Sequence, residues 1–147
     1  MPFERPDDAA WQPLVDAAWE ARSHAHAPYS GFKVGAALRT TAGETVGGCN
    51  VENASYPVCV CAERNAIGTA VARGMRAGDL VALVVVTEAE TLTPPCGACR
   101  QVLAEFAEDL PVLLVNRRGR ALHRLAALLP EAFTGRSFRP ASPGVQA

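Results

Sequence analysis

The order of apolar and polar residues along the chain predicts a series of helices and strands. Trp11 and Leu14 begin an apolar stripe whose members recur three or four positions apart, which is typical of an amphipathic helix. Asp7 or Asp8 is available as the N-cap of this helix, and Pro28 prevents it from continuing. The full predicted series is a helix from Trp11, strands at 32–39 and 44–49, a helix at 61–73, a strand at 80–87, a helix at 96–107, strands at 111–115 and 121–124, and a helical turn at 125–129.

This order of elements predicts an α/β fold in a single domain. Strands that alternate with helices imply parallel βαβ units, and the short turn at 41–43 implies an antiparallel hairpin beside them, so we expect a mixed sheet with helices on its faces. The chain has 147 residues and 49% hydrophobic content, which fits one core. We expect a flexible leader at 1–10, one domain at 11–136 and a flexible tail at 137–147.

Two of the predicted elements carry signs of burial on more than one side. The strand at 80–87 is an unbroken apolar run rich in β-branched residues, as expected of a strand that is covered on both faces. The helix at 61–73 is rich in alanine and other small residues, which allow neighbouring backbones to approach closely. We therefore expect this helix to be packed against more than one neighbour.

The charge of the chain argues against a large anionic partner. Fourteen Lys and Arg residues against fifteen Asp and Glu residues leave a formal net charge of −1, so we expect neither nucleic acid nor an anionic membrane as a partner. No apolar stretch approaches the roughly 20 residues of a membrane span, and no segment resembles a secretion signal. A cytoplasmic protein that binds a small ligand is the expectation.

The cysteine content points to metal binding or catalysis. Five cysteines are an odd number, and without a secretion signal a disulfide framework is not expected. Cys49 and Cys59 can be interpreted as small buried hydrophobic residues. The other three are Cys61, Cys96 and Cys99, which lie in two short motifs.

These two motifs, Cys61-Ala62-Glu63 and Pro95-Cys96-Gly97-Ala98-Cys99, predict a three-thiolate zinc site with an acid/base beside it. Each motif begins a predicted helix, where unpaired N–H groups and the helix dipole favour thiolate over thiol. Zinc accepts three thiolates in tetrahedral geometry, and the fourth position is left for water, whose pKa it can lower to about 7. Glu63 is close enough to take the proton that such a water releases.

The negative charge of this zinc site needs compensation. The spacing of its cysteines is also compatible with other kinds of site. Three thiolates and one Zn²⁺ carry a net charge of −1, which Arg64 in the first helical turn can offset. A redox Cys-x-x-Cys pair or a structural zinc site would give a similar pattern. A structural site needs a fourth protein ligand; Cys59 could compete for that place, whereas the three histidines, His24, His26 and His123, lie outside any motif spacing.

Four motifs together resemble a known family. They are PYSGFKVGAA at 28–37, NVENASYP at 50–57, CAE at 61–63 and CGACRQ at 96–101. In this order, over about residues 11–133, they resemble the small homotetrameric cytidine deaminases of pyrimidine salvage, which are zinc enzymes. The chain departs from the usual family pattern at Asn65 and in the segment 134–138, and the second departure bears on how subunits close the site.

The resemblance implies a fold and an activity. The fold is a cytidine-deaminase-like three-layer α/β/α arrangement with a mixed five-stranded sheet, assembled as a homotetramer with one zinc ion per chain. The activity is hydrolytic deamination of cytidine and deoxycytidine to uridine and deoxyuridine, with release of ammonia. The alternatives are a deaminase of a modified cytosine nucleoside, of the blasticidin S type, and a zinc-stabilised interaction domain without catalysis.

The resemblance also implies roles for individual residues. Phe32, Tyr56 and Phe133 could equally be ordinary packing residues on sequence grounds alone. The family's pattern implies the following roles: Cys61, Cys96 and Cys99 bind zinc, Glu63 moves protons, Arg64 and Gln101 lie near the thiolates, Asn50 and Glu52 bind the ribose, Phe32 packs on the pyrimidine, the Ala62 backbone contacts its polar edge, and Tyr56 and Phe133 help neighbouring subunits close the site.

Overall fold

The computed structural model of the chain describes residues 1–140, which contain five strands and four α-helices. Most predicted elements are present, with ends shifted by a few residues, and the strand at 111–115 has the predicted bounds. The elements are α1 (Gln12–Ser23), β1 (Gly35–Thr40), β2 (Thr45–Cys49), α2 (Ala62–Ala72), β3 (Leu80–Val86), α3 (Gly97–Phe106), β4 (Pro111–Val115), β5 (Arg120–Arg124) and α4 (Leu125–Leu128), with short 3₁₀ turns at Ala9–Trp11, Tyr56–Val58 and Gly135–Phe138.

The five strands form one mixed sheet in the order β2-β1-β3-β4-β5. β1 is antiparallel to both β2 and β3, so β2 and β3 run in the same direction with β1 between them. β3 and β4 are parallel neighbours, and β5 lies at the edge of the sheet, antiparallel to β4. The predicted parallel βαβ units are therefore confirmed: β2-α2-β3 spans one intervening strand, and β3-α3-β4 joins adjacent strands.

Helices cover both faces of the sheet, which confirms the predicted three layers. β3 alternates between the two faces: Leu83 and Val85 pack with α2 and α3, whereas Ala82, Val84 and Val86 pack with α1. Both sets are buried, which explains why the strand has no polar face. α1 contributes the buried side chains Trp11, Leu14, Val15 and Ala18 to the second set.

Within one chain, α2 is buried on a single face. Ala62, Ala66 and Ala70 pack on the sheet, whereas Gly68 and Val71 are exposed on the outer side. The expectation that this helix is buried on several sides is thus not met by the chain's own core. The small side chains on the sheet side nevertheless allow the close approach that was predicted.

The first ten residues are not a separate leader, since part of this segment belongs to the core. Phe3 is only 7% exposed and packs edge-on against Trp11, with 4.6 Å between the ring centroids. Asp8 does not cap α1, because its carboxylate accepts hydrogen bonds from the Glu4 and Arg5 amides of the preceding turn. The expectation of a flexible leader at 1–10 is therefore wrong for Phe3.

The tail predicted at 137–147 is described only as far as residue 140, and the segment 141–147 lies outside the described residues. Within the described part, Phe138 is exposed and packs edge-on against Phe133. Among residues 1–140, no helix combines the length and the hydropathy that crossing a membrane requires.

Gly48 fixes how closely α2 approaches the sheet. A Cβ atom at this position would lie 2.5 Å from Ala62 O and 2.5 Å from Ala66 N, both of which are backbone atoms of the helix start. Asn65 strengthens the same contact, since its side-chain amide donates a 2.8 Å hydrogen bond to Cys49 O. The start of α2 is therefore held against the end of β2.

Replacing Gly48 by Ala should destabilise the fold, because backbone rather than a flexible side chain blocks the added methyl group. We expect the free energy of unfolding to fall by about 1–3 kcal/mol, measured by urea denaturation. Gly119→Ala is the matched control, since a Cβ at that exposed turn position meets no atom within 4 Å. Equal stability of the two variants would contradict the close approach described here.

Candidate metal centre and active site

Three cysteine thiols converge at the N-termini of two helices. Cys61 is the N-cap residue of α2, Cys96 is the N-cap residue of α3, and Cys99 lies in the first turn of α3. The Sγ atoms of Cys61 and Cys96 are 3.8 Å apart, and all three Sγ atoms lie within 4.8 Å of one another. Neither N-cap thiol accepts a capping hydrogen bond from the backbone of its own helix, so neither sulfur atom is used as a helix cap.

The cluster fits a zinc ion by its chemistry and its size. Zinc prefers soft thiolate ligands at about 2.3 Å in tetrahedral geometry, which puts pairs of sulfur atoms about 3.8 Å apart. Within the described part of the chain, no histidine or carboxylate and no fourth cysteine joins the three sulfur atoms. Cys59, a possible competitor, instead accepts a hydrogen bond from the Asn53 amide at 3.2 Å. Three protein ligands leave one coordination position open.

The thiols of Cys61 and Cys99 differ in how readily they ionise. The pKa of Cys61 is lowered to about 5, first by the hydrogen bond from Cys99 and then by Arg64, while burial opposes the shift. The pKa of Cys99 is raised, because its thiol donates to Cys61 and because it is buried. The geometry thus favours a thiolate on Cys61, which is the ionised form that a metal requires.

Arg64 supplies the positive charge that the cluster needs. Its Nη2 lies 3.8 Å from Cys61 Sγ and donates to Cys59 O at 3.3 Å. The Nε of the same guanidinium is buried and has no hydrogen-bond partner among residues 1–140. The predicted contact between Arg64 and the thiols is therefore present.

Glu63 is a buried carboxyl group in the first turn of α2. The residue is only 4% exposed, and its pKa is raised, first by burial and also by the negative charge of Cys61. A carboxyl group in such an environment favours the protonated form, which suits a group that accepts and returns a proton. Glu63 and Cys61 line the same cavity.

This cavity has a volume of about 210 Å³ and is lined by six of the twelve predicted site residues. Phe32 is 42% exposed on its rim, so the alternative interpretation of Phe32 as a core side chain is wrong. The cavity is lined by Phe32, Val34, Asn50, Cys61, Ala62, Glu63, Val85, Thr93, Pro94 and Cys96.

Asn50 and Glu52 hold the loop at residues 28–34 that carries Phe32. Asn50 accepts a hydrogen bond from Val34 N at 2.9 Å and donates one to Phe32 O at 2.8 Å. Glu52 accepts from the Tyr29 and Ser30 amides and from the Ser30 hydroxyl. Ser30 lowers the pKa of Glu52 most, through its side-chain and backbone hydrogen bonds, so the carboxylate is charged at neutral pH.

Glu52, Tyr56, Phe133 and Gln101 lie outside the cavity that contains the thiols. Glu52 and Tyr56 line a neighbouring cavity of about 290 Å³, and Tyr56 and Phe133 are 68% and 59% exposed. The Gln101 amide donates to Phe133 O at 2.8 Å and so holds the segment that carries Phe133. The expected location of Gln101 beside the thiolates stays a prediction.

Sequence reasoning missed three features of the site. Thr93 and Pro94 line the cavity, where the loop approaches Cys96. They come directly before the Cys-x-x-Cys motif, which drew attention only to its cysteines. Arg100 donates to Pro95 O and Leu128 O and so fixes the same loop against α4. The hydroxyl of Ser30 bridges two predicted substrate residues. Ser30 and Arg100 lie inside recognised motifs, but their contacts depend on the fold.

Comparisons with known proteins agree on one family. A family model described as the cytidine and deoxycytidylate deaminase zinc-binding region matches residues 10–114. A cytidine deaminase of Halalkalibacterium halodurans is 46% identical over 125 residues, covering 84% of this chain and 93% of that protein. Another from Sporosarcina psychrophila is 46% identical over 123 residues, covering 82% and 89%. The crystal structure of cytidine deaminase from Burkholderia pseudomallei matches with a TM-score of 0.79 and 50% identity, covering 82% of this chain and 97% of that one.

Replacing Cys96 by Ser should lower zinc content and stability together, because the variant removes one of three clustered thiols and metal binding is coupled to folding. We expect the zinc content, measured by elemental analysis of purified protein, to fall well below one per chain. Cys59→Ser is the control, since its sulfur lies outside the cluster and should leave the zinc content unchanged. A fully loaded Cys96→Ser variant with wild-type stability would exclude Cys96 as a ligand.

Proposed function

Because the chain belongs to the cytidine deaminase family, we propose that its thiol cluster and Glu63 together catalyse the hydrolytic deamination of cytidine to uridine and ammonia. The family match and the two relatives support an enzyme of this activity with one zinc ion per chain. The observation that carries the assignment of residues is the shared cavity, which places Glu63 beside Cys61 and Cys96.

Cys61, Cys96 and Cys99 would hold the zinc ion. When bound, zinc lowers the pKa of water to about 7 and so supplies a nucleophile near neutral pH. Arg64 offsets the excess negative charge of three thiolates, since its guanidinium lies 3.8 Å from Cys61 Sγ. The two helix N-termini contribute further positive potential at Cys61 and Cys96.

Glu63 would move the protons of the reaction. Water adds to C4 of the pyrimidine, and ammonia leaves from the same carbon. Glu63 takes one proton from the attacking water and delivers it to N3. It then takes the second proton from the same oxygen and transfers it to the amine as the C4–N bond breaks. Its burial suits this role, because a raised pKa allows the carboxyl group to hold a proton between transfers.

Three further residues of the cavity, together with Glu52 from the neighbouring cavity, would bind the nucleoside. Phe32 packs against the pyrimidine, and the Ala62 backbone contacts its polar edge. Asn50 and Glu52 bind the ribose, chiefly its 3′-hydroxyl. The structure supports this division, since the hydrogen bonds to the loop occupy one donor hydrogen and one lone pair of the Asn50 amide and leave the others free.

A homotetramer would complete the site. The cavity of about 210 Å³ is smaller than the roughly 300 Å³ at the lower end of small-molecule pockets, as expected when a neighbouring chain supplies part of the wall. Tyr56 and Phe133 are largely exposed, and the outer face of α2 is formed by small residues and Val71. These exposed surfaces support the proposal that neighbouring subunits contact one another around the site.

The cellular role and its alternatives follow from the same premise. We assign the protein to pyrimidine salvage in the cytoplasm, where a reducing environment keeps free thiols available for zinc, and we include deoxycytidine as a substrate. The cytidine deaminase relatives do not favour a modified nucleoside such as blasticidin S. A non-catalytic zinc domain would need four protein ligands, whereas the described residues gather three.

Replacing Glu63 by Gln should abolish nearly all turnover and leave zinc in place, because the change removes the proton carrier without removing a ligand. We expect kcat for cytidine to fall by at least about 100-fold, measured from uridine and ammonia release. The matched control is Glu20→Gln on the exposed side of α1, which should keep wild-type kcat.

The outcomes separate the function from the assignment of the residue. Near-normal kcat in zinc-loaded Glu63→Gln would exclude Glu63 as the proton carrier. Absence of uridine formation by the zinc-loaded wild-type protein would overturn the proposed function itself.

A further inference from the structure

The hydroxyl group of Ser30 joins two residues of the proposed nucleoside site. The Phe32 amide donates a 2.9 Å hydrogen bond to Ser30 Oγ, and that hydroxyl donates to a carboxylate oxygen of Glu52. The Ser30 amide donates to the other Glu52 oxygen at 3.1 Å. Because a carboxylate only accepts, the single hydroxyl proton goes to Glu52 and the lone pair of Oγ receives the Phe32 amide.

This chain of hydrogen bonds holds Phe32 from one side, and Asn50 holds it from the other. Asn50 Nδ2 donates to Phe32 O at 2.8 Å, so both polar backbone groups of Phe32 are bound to residues of the site. Residues 29–33 are exposed. The neighbouring hydrogen bonds, from Gly31 N to Ala27 O at 2.9 Å and from Arg22 Nε to Lys33 O at 3.0 Å, do not involve Phe32 itself. The position of the aromatic ring therefore depends on these polar contacts.

We propose that Ser30 is a positioning residue that couples the ribose-binding carboxylate of Glu52 to the base-stacking ring of Phe32. The inference rests on the proposed function, in which these two residues contact opposite ends of the nucleoside. Loss of the hydroxyl would free one carboxylate oxygen and leave the Phe32 amide without its partner. Both effects weaken nucleoside binding, whereas the thiols and Glu63 remain in place.

The direction of the effect separates Ser30 from a residue of the chemical step. Ser30 shapes the ground-state site, so its removal should raise KM more than it lowers kcat. The hydrogen bond also lowers the pKa of Glu52, because it stabilises the charged carboxylate. Because Ser30 acts through Glu52, its effect should depend on whether Glu52 is present.

The test is a double-mutant cycle on zinc-loaded protein with Ser30→Ala, Glu52→Gln and the double variant. We expect Ser30→Ala to raise KM for cytidine by about tenfold and to change kcat by less than threefold. In the Glu52→Gln background the same change should raise KM by less than threefold. Ser30→Thr, which keeps a hydroxyl, should restore KM towards the wild-type value.

A control and a binding measurement complete the design. Ser23→Ala removes a hydroxyl that donates a 2.6 Å hydrogen bond to Glu20 O at the end of α1, and it should leave KM unchanged. Calorimetric titration with uridine measures the same coupling without turnover, and Ser30→Ala should weaken uridine binding by a similar factor.

Each result decides between the two proposals. An unchanged KM, or an equal rise in KM with and without Glu52, would overturn the coupling role of Ser30 while an active wild-type protein upholds the proposed function. Uridine binding that is lost in Ser30→Ala and kept in Ser30→Thr, without turnover by wild type, would uphold Ser30 and overturn the catalytic proposal. A zinc-loaded wild-type protein that neither binds uridine nor turns over cytidine would overturn both.

Discussion

The convergence of two helix N-termini is the constraint on which the rest of the structure depends. β2 and β3 run in the same direction, so α2 and α3, which follow them in the chain, begin at the same edge of the sheet. This edge holds the carboxyl ends of both strands, where α/β folds commonly bind ligands. If β3 ran in the opposite direction, Cys61 and Cys96 would lie at opposite ends of the fold.

Close packing converts this shared edge into a metal site. Because Gly48 has no side chain, the backbone of α2 can lie directly against the end of β2. Arg100 fixes the Cys96 loop from the other side by bonding to Pro95 O and Leu128 O. These contacts hold the thiols close together, and burial of Glu63 beside them follows from the same packing. The positive charge of Arg64 then reduces the electrostatic repulsion among the clustered thiolates.

The sequence predicted those parts of the molecule in which local pattern and chemistry coincide. The helices and strands follow from periodicity, and the thiol cluster follows from two motifs at helix starts. The support of the nucleoside loop could not be predicted, since Val51 pairs with His26 on one side and Val60 on the other only after folding. Phe3 was missed because two prolines obscured a single apolar residue whose partner, Trp11, lies beyond a turn.

Polar contacts hold the loop that carries Phe32. Asn50 and Glu52 each use some of their hydrogen-bonding groups to bind the loop, and their other donors and acceptors are available to a ligand. Under the proposed function, a nucleoside would meet side chains that are already oriented by the loop, so less side-chain entropy would be lost on binding. The residues proposed to bind the ribose also hold the loop that carries Phe32. Recognition of the ribose and stacking of the pyrimidine would then depend on the same few polar contacts of an exposed loop.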